Sequence, residues 1–81
     1  MIVRVAIENK DRMVGAMVKA LAVEVAGFQA VKGTTKEFLS ANGHYDFEFP
    51  SKVSAAAFCD AIAAYIPENR ARVTIGAVLL T

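Results

Sequence analysis

Along this chain the hydrophobic period alternates between two and 3.6 residues, and the order of that alternation limits the fold more than any single residue does. The stretch IVRVAIE, residues 2–8, puts Val3, Val5 and Ile7 on one face and Arg4 and Glu8 on the other, as a half-buried strand requires. ENKD follows, where Asn9 or Asp11 can accept from the free N–H groups of a helix start. From Arg12 to Ala26 the spacing is helical, with Val14, Met17, Val18, Leu21 and Val25 as the inward stripe and Gly27 as the stop. Residues 29–49 read as two strands joined at Asn42-Gly43, a dipeptide suited to a type I′ hairpin because both central residues need positive φ. Ser51 then caps a second helix, Lys52 to about Tyr65, whose inward stripe is Ala55, Phe58, Cys59, Ile62 and Ile66. Pro67 ends it, and RVTIGAVLLT (72–81) is a last strand with Val73, Ile75 and Leu79 inward.

The order β-α-β-β-α-β, with right-handed crossovers and one apolar sheet face, predicts an α+β ferredoxin-like βαββαβ sandwich. It would be a four-stranded antiparallel sheet, order 4-1-3-2, with two helices on one face. A chain of 81 residues closes one core, so a single domain over 1–81 is expected. Hydrophobic content is 56%, more than that core needs, and the surplus should seek a partner.

Counting outward from the expected turn places Ser40 opposite Tyr45 and Phe38 opposite Phe47, with Tyr45, Phe47 and Phe49 inward. Ile2, Arg4, Ala6 and Glu8 then share the open face with His44, Asp46 and Glu48 and with Arg72, Thr74, Val78 and Leu80. In this layout Arg4 lies near Glu48, and Glu8 near His44 and Arg72; such cross-strand pairs are worth about 0.2–1 kcal/mol each. His44, Asp46 and Glu48 carry ligand-type side chains, yet residues two apart on a strand stand roughly 6–7 Å from one another and cannot converge on one metal. They read as a charge-paired wet face, with no metal and no cofactor expected.

Other chemistry is sparse. Cys59, the single cysteine, sits on the apolar stripe of the second helix, where an inert thiol and a reducing cytoplasm are expected. No nucleophile has a base beside it and no pocket is implied, so the reading is of a protein that is not an enzyme. The net charge of +1 argues against nucleic acid as a partner. Arg4 and Glu8 break up the first apolar run, and Lys19 and Glu24 interrupt the one from Met13 to Phe28, so neither a secretory signal nor a membrane span is expected.

Two surfaces remain. The open face and last strand form a candidate protein interface, with Ile2, Val78 and Leu80 as apolar anchors and Arg4, Glu37, Asp46 and Glu48 at the rim; its partner would be another copy (a homodimer) or a larger protein. One end of the sheet gathers Lys10, Arg12, His44, Arg70 and Arg72 near the start of the first helix, where a small anion or acidic patch could dock.

The run VAIENKDRMVGAMVKALA (5–22) resembles the opening of an ACT domain, with its strand, Asp-Arg loop and glycine at the helix start. Here Met13-Val14 stands between Arg12 and Gly15, where that family has proline directly before the glycine. The resemblance implies a βαββαβ regulatory module, usually dimeric. It would bind an amino acid or small anion near Asn9, Asp11, Arg12 and Gly15. A third reading is a small phage or mobile-element inhibitor that docks on a large host complex, such as a CRISPR effector. RNA-recognition modules share the topology but stack bases on open-face aromatics, which this chain points inward. The Arg loop of acylphosphatases and the Cys-x-x-Cys of heavy-metal domains are missing.

Overall fold

The computed structural model of the chain describes residues 1–27 and 32–76. Strand β1 (Ile2–Ile7) leads through a 3₁₀ turn (Glu8–Lys10) into helix α1 (Arg12–Ala26). A second 3₁₀ turn (Lys32–Thr34) precedes α2 (Lys36–Asn42), β2 (His44–Glu48), α3 (Lys52–Tyr65) and β3 (Ala71–Ile75). The strands form one antiparallel sheet in the order β2-β1-β3.

Local chemistry accounts for the two long helices. The Asp11 carboxylate accepts from the N–H groups of Met13 and Val14, and Gly27 closes α1 in the left-handed region at φ 55°. Ser51 Oγ accepts from the Ser54 N–H at the start of α3.

The expected hairpin at Asn42-Gly43 is corrected. Residues 36–42 are helical, capped by Thr35 Oγ1, which accepts from the Phe38 N–H at 3.0 Å. Gly43 adopts φ 78° and its N–H returns to the Leu39 carbonyl at 2.8 Å, so the dipeptide ends a helix. A left-handed glycine serves either purpose, which is why the dipeptide alone does not separate them. The sheet therefore has three strands among the described residues, and the four-strand order 4-1-3-2 is not found there. The part of the expected second strand at 29–31 lies outside the described residues.

The register also differs from the expected one. Arg4 faces Asp46 on one side and Thr74 on the other, Ala6 faces His44 and Arg72, and Ile2 faces Glu48. The slip along β2 and β3 is two residues, an even number, so the described residues of β1, β2 and β3 keep their expected faces.

The core fills the space between the sheet and the helix pair. Val3, Val5, Ile7, Tyr45, Phe47 and Phe49 meet Val18 and Ala22 of α1 and Ala55, Phe58 and Ile62 of α3, all buried. Phe58 lies 4.9 Å from Phe49 and 5.3 Å from Phe47, ring to ring. Tilted aromatic pairs of this kind contribute about 0.5–1.5 kcal/mol beyond the area they bury. Met17, expected inward, is instead exposed on the outside of α1. No described helix is long and apolar enough to cross a membrane.

Candidate functional site

The sheet face away from the helix pair is not the open charged surface that alternation implies. Asp46 is completely buried there. Arg4 Nε donates to its Oδ1 at 2.8 Å and Arg4 Nη2 to its Oδ2 at 3.2 Å, a two-point grip that suits a planar guanidinium. That hydrogen bond, and to a smaller degree the Asp46 charge, raise the Arg4 pKa above its ordinary value against the opposing pull of burial. His44 Nδ1 approaches the same Oδ1 at 3.2 Å, yet it is buried without a hydrogen-bond partner: the distance is right and the alignment is not. The His44 ring meets Phe38 of α2 edge-on at 5.3 Å.

Asp46 is buried because the second 3₁₀ turn lies against it. A Cβ placed on Gly33 would stand 2.6 Å from the Asp46 Cβ and 2.9 Å from its main-chain nitrogen. That nitrogen is on the side of β2 turned away from β1, so the turn covers the outer edge of the strand. Thr34 is buried at the same place.

The residues proposed as an interface therefore part company. Asp46 is inside the protein, Arg4 is half-buried in its ion pair, Ile2 is half-buried and Glu48 is exposed. Glu37 is exposed in the first turn of α2 and is not part of a strand. Val78 and Leu80 lie outside the described residues.

The charged end is only partly assembled. Lys10 Nζ donates to the Ser40 carbonyl at 2.7 Å and so ties the β1–α1 connection to α2. Asn9 and Lys10 both have positive φ, 55° and 54°, a conformation that lysine rarely adopts. The Asp11 carboxylate already occupies the N–H groups at the start of α1, and with them the positive end of the helix dipole. Gly15 is inside α1 beneath Tyr45 and Leu39 rather than in a loop. Arg12 is exposed near Lys36 and Glu37. Arg70 and Arg72 stand with Glu8 and Glu68 around an open cleft of about 540 Å³. His44 shares a row of the sheet with Arg72, with Ala6 between them.

The two sheet edges differ. On β1 the main chain of odd-numbered residues bonds to β2, as in Ile7 N–H to the Gly43 carbonyl at 3.0 Å; even-numbered residues bond to β3, as in Glu8 N–H to the Arg70 carbonyl at 2.8 Å. By the same alternation, Val73 and Ile75 turn their N–H and C=O groups away from β1. Among the described residues no strand or turn lies beyond β3. Ile75 is 51% exposed at this edge. Between β3 and α3 runs a groove of about 620 Å³, its walls formed by Cys59, Ile62, Ile66, Ala71 and Val73 together with Glu68, Arg72 and Thr74. Burial, and then the nearby Asp60 charge, raise the Cys59 thiol above its ordinary pKa, as befits an inert rather than a reactive group.

Much of the apolar surplus lies on the outside of the helix pair. Met13 is 75% exposed and Val53 80%, and Met17 and Tyr65 border a cleft of about 380 Å³ between α1 and α3. Alternation along the strands places this surplus on the sheet and carries no sign that Asp46 is covered; the residue that permits the close approach is Gly33, which has no Cβ. Among the described residues no three His, Cys, Asp or Glu side chains are grouped to hold a metal ion. No protein-family model, curated protein or solved structure matches this chain.

Proposed function

We propose that this chain is a non-catalytic interaction module that docks a protein strand along the outer edge of β3. The observation that carries the reading is the difference between the edges among the described residues: β2 is backed by the Lys32–Thr34 turn, whereas β3 turns the main-chain groups of Val73 and Ile75 outward beside a groove whose walls mix aliphatic side chains with Glu68, Arg72 and Thr74. Strand addition uses such an edge for affinity and the adjoining pockets for specificity. An edge with nothing beyond it, as here among the described residues, is a liability that proteins usually cover or charge, and Arg72 is the one charged residue within β3. The ligand-binding alternative draws less support, because Asp11 caps α1 and Gly15 packs in the interior. The inhibitor reading is one form of the docking proposed here, with a large host protein as the partner. A reducing, cytoplasmic setting suits the half-buried free thiol of Cys59.

The helix pair supplies the rival surface, through Met13, Met17, Val53 and Tyr65. A photo-activatable benzophenone amino acid at position 75, irradiated in the cells that express the protein, should give a protein adduct. The same group at position 53 should give none. Adducts at 53 without any at 75 would end the strand reading and move the contact to the helices.

A further inference from the structure

We infer that the strand received by β3 is the β3 of a second copy of this chain, related to the first by a two-fold axis through Val73. This rests on the strand-docking reading above and adds to it the identity and register of the partner.

The argument starts from a knob and a hole on one strand. On the helix side of β3, Ile75 is half-exposed while Ala71, four residues earlier, is small and lines the groove against α3. Antiparallel pairing centred on Val73 sets each Ile75 opposite the Ala71 of the second copy, so both knobs and both holes are matched by one symmetry operation. This register pairs all five residues of Ala71–Ile75. Because odd-numbered residues carry the outward main-chain groups, Val73 would exchange hydrogen bonds with its symmetry mate, and each Ile75 N–H would donate to the opposite Ala71 carbonyl. The Ala71 N–H is already directed to the Pro67 carbonyl at 3.3 Å.

Electrostatics agree with the register. Arg72 would face Thr74, not another arginine. The two Arg72 residues would sit on a diagonal, with strand positions roughly 7–8 Å apart, close to the screening length of about 8 Å at physiological ionic strength. Added salt should therefore strengthen association slightly, the reverse of what an acidic partner would show. A register centred on Thr74 would set Ile75 against Val73, two branched side chains, and would leave the space beside Ala71 unfilled. The result of the Val73 register is one continuous sheet across the axis, with α3 of each copy flanking the join.

The test uses the full chain. Wild type should sediment as a dimer with a melting temperature that rises with protein concentration, and Ile75→Lys as a monomer with an unchanged circular dichroism spectrum and a melting temperature independent of concentration. In a Cys59→Ala background, Val73→Cys should oxidise readily to a covalent dimer, because hydrogen-bonded cross-strand partners lie about 5.5 Å apart, within disulfide reach. Thr74→Cys should cross-link poorly, its symmetry mate lying on the diagonal. Ready cross-linking of Thr74→Cys instead of Val73→Cys would overturn the register. A wild type that stays monomeric at the highest attainable concentration would overturn the second copy. The mass of the position-75 photo-adduct separates the two readings. Twice the chain mass supports this inference. Any other mass overturns it while leaving strand docking in place, and the absence of an adduct at 75 removes both.

Discussion

Arg4 on β1 holds both carboxylate oxygens of Asp46 on β2, at 2.8 and 3.2 Å, with Asp46 fully buried and the arginine side chain 28% exposed. The pair joins neighbouring strands at facing positions and gives a charge in the interior its counter-charge. Removing one partner of such a pair is much worse than removing both, because the survivor stays desolvated and unmatched.

Asp46→Leu alone should therefore cost roughly 3 kcal/mol or more of unfolding free energy, and Arg4→Met alone a comparable amount. The double variant should recover most of that loss. Urea denaturation of the four proteins gives the coupling energy directly, and simple additivity of the two single losses would show that the pair does not act as a unit.

Gly33 should tolerate no side chain. Its φ of −82° is ordinary, so backbone strain is not the reason; the reason is the Asp46 main chain, 2.9 Å from where a Cβ would stand. Gly33→Ala should destabilise the protein by about 1–3 kcal/mol through overpacking. The exposure of Asp46 should rise in step, read as faster amide exchange at that residue. An alanine variant as stable as wild type would mean that the turn does not press on β2.

Two buried groups make a prediction about alkaline pH. Burial raises Tyr45 above its ordinary 10.0, and burial followed by the Asp60 charge raises Cys59 above its ordinary 9.0. The unfolded chain releases these protons at lower pH than the folded one, so the stability they permit is intact below about pH 8.5 and declines as pH climbs through the unfolded values and beyond. The urea midpoint should fall across that range, and the fall should shrink in a Tyr45→Phe, Cys59→Ala variant. Equal slopes in both proteins would assign the alkaline loss to other groups.

What the sequence determined by itself is the part governed by neighbours along the chain. Period and caps delimit α1 at Arg12–Ala26 and α3 at Lys52–Tyr65, because Asp11, Gly27 and Ser51 act within one helical turn of the groups they satisfy. Alternation likewise sends Val3, Val5, Tyr45 and Phe47 to the core, and this survives a two-residue slip of register since the period of a strand is two.

Only the tertiary structure decided the rest. Asn42-Gly43 serves a hairpin or a helix end equally well, and Thr35 with the Leu39 side chain in the core tips the preceding segment into α2. Nothing local tells Asp46 that Gly33 will lie across it, so a residue that alternation assigns to water is instead the most deeply buried charge of the described chain. The candidate site was hidden for the same reason. An edge is a property of what is missing from the far side of a strand, and that depends on where distant segments pack rather than on the residues of the strand itself.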